Sequence, residues 1–459
     1  MLENFQSILG IKLSSLSIIL GSLIITISLV IQAFSKNYLE GDSQKKAFFV
    51  SINLLTLTVL LIVLSNNLWL FFFSWLASNL LLVKLMIHKS KWKQALNSGF
   101  LTLNFFAFGF GTLLLAILLI SNIFGISNIS ELSTVDYSST LTIFNYEFGA
   151  LTLISLLLII TAMVQSAQIP FSNWLLSSLN SPTPVSAFMH AGLVNGGGIL
   201  LIKFAPAYLN SGDAMNFIFI IGSITAIFGS STMLVQTKIK NKLASSTVGQ
   251  MGFMFMQIGM GLLPAAIVHL FMHGFFKAFS FLNAGSSVKK VKLSNESHEP
   301  IKNFILALIW TSFLTLLFSE ISGYSLTDGD TKSLQCLFVF IALCQFIFSA
   351  IKTNQSTAFK SGLFLLSIVF VIGYGFFIHL ADSFMADLMI FNAQGLNAIH
   401  IITAAIFLVF WLINNLAQNT KDPQRILQKP FIKRVYMALV NLSQPDLSTI
   451  TSKRKDYSF

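Results

Sequence analysis

The feature that most constrains this chain is a succession of apolar runs, each near the roughly 20 residues a helix needs to cross a bilayer, set apart by short polar gaps. In hydrocarbon a spanning segment must satisfy its backbone hydrogen bonds internally or in a closed barrel, so continuous runs of this length predict helices. About 13 such runs can be counted, near 13–34, 47–65, 67–87, 97–121, 148–180, 184–209, 214–236, 247–262, 264–286, 301–321, 333–351, 359–380 and 394–416. The run at 148–180 is too long for one straight helix and contains Pro170, so a break is expected there. Composition closes the alternative. The 459 residues are 54% hydrophobic and 10% charged, with a mean hydropathy of +0.77, whereas soluble domains carry about 25% charged residues. Soluble enzymes and nucleic-acid binders are excluded, and an all-α, multi-pass membrane protein surrounded by lipid is expected.

The net charge of +11 does not argue for a nucleic acid, because its placement follows the positive-inside bias. Lys89, Lys91 and Lys93, then Lys238, Lys240 and Lys242, then Lys289, Lys290 and Lys292, then Lys352 and Lys360 fill alternate gaps. The opposite gaps hold Glu131, Asp136, Glu147, Asp213, Asp328, Asp382 and Asp387, with Lys332 almost alone among the bases. Thirteen spans with the N-terminus outside and the C-terminus in the cytoplasm satisfy these loops. The first run has no basic stretch before it and no small-residue cleavage site after it, so it is expected to be a first transmembrane helix and not a signal peptide. Cys336 and Cys344 lie in one apolar run without metal-ligand spacing and read as small core hydrophobes. The expected organisation is a transmembrane domain over 1–420 and a basic tail over 421–459. In that tail Ile426, Phe431, Ile432, Val435, Tyr436, Leu439 and Val440 fall roughly on one helical face, opposite Lys429, Lys433 and Arg434. An interfacial helix and a docking helix for another subunit fit that pattern equally.

Ionisable residues inside spans are costly and by default mark an ion or substrate path. The densest set is His269-Leu-Phe-Met-His273-Gly-Phe-Phe-Lys277. Spacings of four place the three groups along one helix face, over roughly 12 Å at 1.5 Å per residue. Histidine titrates near neutral pH and the proton affinity of a lysine is sensitive to burial, so this line suits a proton relay. Interhelical hydrogen bonding in a bundle core is the bland reading. His190 is balanced between a structural and a functional role. Lys203, well inside the next run, reads as a path residue, with snorkelling to the interface as its alternative. The glycines at 196–198, beside Asn195, permit close helix approach. Glu320 reads equally as an interface residue and as a channel carboxylate, while Lys84 and His88 read as snorkelling. Gln165 and Gln168 precede Pro170, where a broken helix must line a protein-buried or watered cavity. No soluble-type catalytic constellation, phosphate-binding glycine loop or zinc-spaced Cys/His set is present, so the chain alone is not expected to be an enzyme, and no metal or other cofactor is expected in it.

Two stretches carry more than composition. Residues 164–205, VQSAQIPFSNWLLSSLNSPTPVSAFMHAGLVNGGGILLIKFA, and 234–286, running from LVQTKIKNKLASSTVGQMGFMF to HLFMHGFFKAFSFLNAGSSV, resemble the antiporter-like membrane subunits. That superfamily includes subunit L of respiratory NADH:quinone oxidoreductase and the large subunit of Mrp sodium/proton antiporters. The resemblance implies two inverted five-helix repeats, each with a broken helix, an antiporter-like core over about 60–355, and a polar axis on which His190, His269, His273 and Lys277 would lie. The departures are informative. Respiratory members carry a glutamate directly after the tryptophan of an early helix, where this chain has Leu76 after Trp75, and a lysine where it has Gln165. That pair is the family's charge switch, and both halves are missing. In the second broken helix Phe-Ser-Lys is matched by Phe318-Ser319-Glu320.

The branch with QSAQ and HAGLVNGGG looks like the DabB family, membrane subunits of inorganic-carbon accumulation complexes. The resemblance implies a large cytoplasmic DabA-like partner, similar to β-carbonic anhydrase and holding zinc, and a place in a bacterial inner membrane. The function it implies is conduction of protons or sodium ions to energise bicarbonate accumulation. A Mrp-type antiporter subunit and a proton-pumping respiratory subunit are the other readings. Leu76 and Gln165 count against the respiratory one, and the retained axis groups count against an inert scaffold.

Overall fold

The computed structural model describes residues 10–135, 139–143, 146–285, 300–351, 356–385, 393–418 and 430–450. Asp136, Lys289, Lys290, Lys292, Lys352 and Asp387 of the expected loop charges, and Ile426 and Lys429 of the tail, lie outside the described residues, as does the 420/421 boundary. The chain is built of helices α1 (Ser15–Tyr38), α2 (Lys45–Leu64), α3 (Leu68–Met86), α4 (Lys93–Phe124), α5 (Ala150–Gln165), α6 (Asn173–Leu176), α7 (Thr183–Ala191), α8 (Gly196–Lys203), α9 (Gly212–Val235), α10 (Ile239–Gly259), α11 (Leu263–Leu282), α12 (Pro300–Ser322), α13 (Thr331–Ile351), α14 (Thr357–Met385), α15 (Ala398–Gln418) and α16 (Pro430–Leu442). A two-stranded antiparallel hairpin, β1 (Thr140–Ile143) and β2 (Tyr146–Gly149), leads into α5 with Thr140 opposite Gly149. It is the only sheet among the described residues.

Eleven helical segments among the described residues are long and apolar enough to cross a membrane, α7 and α8 counting together as one. The expected thirteen differ by two for physical reasons. The run at 148–180 breaks after Gln165 and leaves α5 with 16 residues. Ile239–Gly259 is long enough but begins with Lys240 and Lys242 and is rich in Gly, Ser and Thr, so it is less apolar than its neighbours. A second difference concerns Phe318-Ser319-Glu320. Pro300–Ser322 is one helix through these residues, so no break occurs there. Between Pro300 and Ser322 there is neither Pro nor Gly to interrupt the ladder.

Local chemistry sets the helix ends. Ser14 caps α1 reciprocally with Ser17, each side-chain oxygen accepting from the other residue's backbone N–H. Asn67 accepts from the N–H groups of Trp69 and Leu70 to start α3. Gly125 ends α4 with φ +66°, a left-handed conformation that costs an L side chain about 1 kcal/mol or more.

The chain forms two compact units, one comprising Met1–Gly259, His269–Ser287 and Ala438–Phe459, the other Met260–Val268 and Val288–Met437. In the first, α9 and α10 form the tightest helix pair. A Cβ at Gly229 would meet the backbone of Gly249, and one at Gly222 would lie 2.6 Å from the Met256 nitrogen, so the two backbones touch. In the second, α12 packs with α13 and α14, and α13 with α15. Cys336 and Cys344 are unbridged and buried on α13, the core placement their spacing suggested. Trp310 donates from its indole to Ser367 across α12 and α14.

The tail contributes to the first unit. After α16, which buries none of its residues, residues 443–450 lie as a clip. Gln236, between α9 and α10, donates to the Ser443 carbonyl and hydroxyl. Ser177 accepts from the Asp446 N–H, Asn97 donates to the Ser448 carbonyl, and Asn180 donates to the Thr449 carbonyl. At the same end of the unit Asp42 meets His88 at 3.0 Å, so His88 has an acidic partner and is not simply snorkelling. Burial alone would raise the Asp42 carboxyl, but the Gln44 N–H and the His88 ring hold it below its ordinary value.

Candidate functional site

The break predicted at Pro170 is where the first unit collects its polar groups. Helix α5 stops at Gln165, Ala167 takes φ +50°, and the Ile169–Pro170 peptide is cis. The freed backbone finds partners nearby. Trp174, fully buried on α6, donates from its indole to the Val164 carbonyl, and Thr225 of α9 accepts from the Ile169 N–H. Packing holds the turn, because Phe106 meets Trp174 edge to face at 4.9 Å, a contact of about 0.5–1.5 kcal/mol beyond its buried area. Gln165 and Gln168 are buried and Pro170 is exposed. Gln168 donates to the Ser166 carbonyl, while its side-chain oxygen has no protein partner among the described residues.

A second interruption, at Gly192–Asn195 between α7 and α8, faces the first. Gln165 donates to the Leu193 carbonyl and Ser166 to the Val194 carbonyl, so side chains from one break satisfy the open carbonyls of the other. The close approach needs the glycine triplet. A Cβ at Gly197 would collide with the Ala162 carbonyl, and one at Gly196 would lie 3.0 Å from the Gln165 side chain. Gln165 is also held by Asn79 of α3 in a doubly hydrogen-bonded amide pair, at 2.9 Å and 3.1 Å. A neutral pair therefore joins α3 and α5, with Gln165 where the resemblance would place a lysine and Asn79 three residues after the position of its glutamate. Asn79 was not singled out from sequence. The available signal was the one amide of α3, three residues after Leu76 and so on the same helical face.

The cationic groups gather beside the second break. His190 on α7 is fully buried, its ring stacked on Phe281 with centroids 4.3 Å apart and its Nδ1 3.0 Å from the Thr247 hydroxyl. The Thr247 hydroxyl also lies 3.0 Å from the Leu243 carbonyl. The other ring nitrogen of His190, Nε2, has no partner among the described residues. On α11, His269 and His273 stack with centroids 6.0 Å apart, and the Nε2 of each also lacks a protein partner among the described residues. His273 reaches the backbone of His190. Gly274 permits this approach, since a Cβ there would lie 3.0 Å from the Ala191 carbonyl. Lys277, 0% exposed, donates to the Leu243 carbonyl at 3.1 Å and to Ser246 at 2.9 Å.

Leu243, Ser246 and Thr247 occupy one face of α10, where residues three and four apart are neighbours. Lys277 and His190 are thus fastened to the same turn, and His273 completes the group. Neither Lys277 nor any of these histidines makes an ion pair among the described residues. Imidazoles and an ammonium screened from bulk water have the chemistry to take up a proton and hand it on. Among the described residues no three His, Cys, Asp or Glu side chains converge to hold a metal ion.

Two predicted residues stand elsewhere. Lys203, at the end of α8, donates to the Val63 and Ser65 carbonyls at 2.7 Å each. It closes the C-terminal end of α2, the negative pole of that helix. Glu320 is an exposed residue of the second unit, two residues before α12 ends. The polar residues Ser246 and Thr247, which fasten the line, were missed because Ser and Thr are common in membrane helices and their spacing carries no signal of its own.

The comparisons agree with the residues. The family described as NADH:quinone oxidoreductase/Mrp antiporter, TM matches residues 65–317, and that described as NADH-Ubiquinone oxidoreductase (complex I), chain 5 N-terminus matches residues 1–49. The chain is 35% identical to a probable inorganic carbon transporter subunit DabB of Bacillus anthracis, over 69% of this chain and 62% of that protein. It is 30% identical to a probable inorganic carbon transporter subunit DabB1 of Halothiobacillus neapolitanus, over 81% of this chain and 70% of that protein. It is 31% identical to NADH-quinone oxidoreductase subunit L of Rhodobacter capsulatus, over 61% of this chain but 41% of that protein. Against the Bacillus anthracis relative the chain therefore spans less than two thirds of the partner's length. Among solved structures the Mrp complex of Dietzia sp. DQ12-45-1b superposes with a TM-score of 0.63 at 19% identity, covering 94% of this chain and 52% of that one, which shows a shared membrane fold.

Proposed function

We infer that this chain, which belongs to the NADH:quinone oxidoreductase/Mrp antiporter family of membrane subunits, conducts protons or sodium ions across the bilayer to drive inorganic-carbon accumulation. The observation that carries the conduction is the buried set of His269, His273, His190 and Lys277, of which His190 and Lys277 are fastened to one face of α10 and the two α11 histidines stack on each other. Four buried titratable groups, three of them with an Nε2 that lacks a protein partner among the described residues, are costly in a mere scaffold. Lys203 ties α8 to α2, and Glu320 is given no part in this line.

The inorganic-carbon side draws its support from the DabB-named relatives and from the neutral Asn79–Gln165 pair. A redox-coupled pump needs a charge that responds to its driving reaction, and two amides carry none. On this reading the chain sits in a bacterial inner membrane with its C-terminus in the cytoplasm. A large cytoplasmic DabA-like partner, similar to carbonic anhydrase and carrying zinc, performs the catalysis there, and this chain needs no cofactor of its own. One charge moving across the membrane supplies about 2.3 kcal/mol per 100 mV. At about 1.4 kcal/mol per pKa unit or decade of equilibrium constant, that biases hydration over the reverse reaction by more than tenfold.

The test is to isolate the chain from its native membrane under mild extraction, identify what accompanies it, and measure zinc in the same sample. One large soluble partner with near-stoichiometric zinc is the expected result. A set of small membrane subunits without zinc would place the chain with Mrp antiporters instead, and flavin or iron–sulfur subunits would place it in a respiratory complex.

A further inference from the structure

Helix α16 has no part in the ion path, yet its two faces differ sharply. Pro430–Leu442 buries none of its residues. At about 100° per residue, Phe431, Val435 and Leu442 fall within one narrow arc, and they are 76%, 42% and 62% exposed. Ile432, Leu439 and Val440 on the adjoining arc are half-buried, so the chain covers one flank of the apolar face and leaves the other open. Lys433, Arg434 and Asn441 hold the remaining side, and neither Lys433 nor Arg434 makes an ion pair among the described residues.

Where the helix sits follows from what holds it. Ser443, the next residue, accepts from Gln236 at the end of α9, and Ser448 accepts from Asn97, one turn into α4. Both α4 and α9 are long and apolar enough to cross a membrane. Both of these ends lie beside lysines, Lys93 at the start of α4 and Lys238 just after Gln236. The clip therefore lies at the level where spanning helices leave the hydrocarbon. On its other side α16 is joined by residues 419–429 to α15, itself a candidate span. With 13 residues, α16 is about 20 Å long, too short and too charged to cross. Tied at that level, it either lies along the membrane or stands off into water, and standing off leaves Phe431, Val435 and Leu442 wet. Charge favours the first. Lys429, Lys433 and Arg434 in and before the helix, and Lys453, Arg454 and Lys455 after the clip, make this stretch basic. Anionic headgroups attract a basic segment beside a span.

We propose that α16 lies in the headgroup layer of anionic phospholipid, with Phe431, Val435 and Leu442 dipped toward the acyl chains and Lys433 and Arg434 reaching back to the phosphates. Exposed apolar side chains on one arc and unpaired cations on another suit a boundary with hydrocarbon on one side and phosphate on the other. Leu447, 85% exposed in the clip, enters the same layer. The occupant of the open flank is the lipid around the chain and not another subunit. This seat is independent of what the chain conducts.

The test is nitroxide accessibility on the full chain with its co-purifying partners in nanodiscs, made of phosphatidylcholine alone or with about a third phosphatidylglycerol. Cys336 and Cys344 are buried, so the label is directed to Val435→Cys or Asn441→Cys, with the parent chain as the blank. Oxygen concentrates in hydrocarbon and a nickel chelate in water. The oxygen-to-nickel accessibility ratio at Val435→Cys should exceed that at Asn441→Cys at least about fivefold. That excess should grow at least about twofold with phosphatidylglycerol, and about 0.5 M salt should cancel the growth. Phe431→Cys, on the same arc, repeats the reading if Val435→Cys fails to fold. Equal ratios on the two faces would place the helix in water, and a label at Val435→Cys closed to both reagents would place it under a protein partner. Either result overturns the proposal, as does a ratio that phosphatidylglycerol leaves unchanged.

Discussion

The first unit contains two buried polar assemblies of opposite design. At the α5 break, Asn79 and Gln165 form a closed set in which every side-chain nitrogen and oxygen has a partner. Beside the second break, three imidazoles retain Nε2 atoms without protein partners among the described residues, next to an ammonium with a spare donor. A satisfied buried network stiffens a fold, while a partly satisfied one is costly unless something mobile completes it. The difference teaches that the residues with the most complete hydrogen bonding here are not the ones proposed to move charge.

Substitutions in the two assemblies should therefore fail in different ways. The largest effect is expected for Lys277→Ala or His273→Ala. Carbon uptake and proton flux should fall to background, a loss of about a hundredfold or more, with the complex still assembled on gel filtration. Full activity in either variant would end the relay. At the amide pair, Gln165→Leu should cost stability instead, roughly 1–3 kcal/mol, because it strands Asn79 and the Leu193 carbonyl. Thermal unfolding in detergent reads this directly, and Asn79→Leu added to it should recover part of the loss. If the single variant is as stable as the parent but conducts nothing, the contrast between the two assemblies is wrong.

Finer tests follow in order of size. Thr247→Val removes the hydroxyl that fixes the His190 ring, and flux should drop about fivefold, the weight of roughly 1 kcal/mol. Thr247→Ser should restore it, which a simple packing defect would not allow. The smallest effect is expected outside the membrane, at Asp42. Its folded-state pKa is lowered, so its contribution is present above the unfolded carboxyl value and is lost as pH falls through the folded one. Asp42→Asn should cost no more than about 1 kcal/mol at pH 7, and the gap between variant and parent should close in acid. A gap that widens in acid would reverse that assignment.

Much of this architecture was legible from residue order because its causes are local. Pro170 in an overlong run forecast the break, the His269–His273–Lys277 spacing placed three groups on one face, and Gly196–Gly198 forecast the close helix approach. What sequence left hidden depends on partners far along the chain. The partners of Lys203 were hidden because only the folded chain brings the Val63 and Ser65 carbonyls to it. Asn79 gains its meaning from Gln165, 86 positions away. The unbroken course of α12 was hidden for another reason. A motif likeness at Phe318-Ser319-Glu320 outweighed the plain absence of a helix breaker in the same stretch.

The clip at residues 443–450 gives the order of synthesis a structural consequence. Asn97 finds its Ser448 partner 351 positions later, with the whole second unit made in between. Helix α4 and the turn at Ser177–Asn180 are therefore made with these polar groups bare, and they wait until that late segment emerges. Contacts so distant in sequence form slowly. A nascent chain stalled within the second unit would display Asn97, Asn180 and Gln236 as an unfilled groove, a surface by which unfinished copies differ from finished ones.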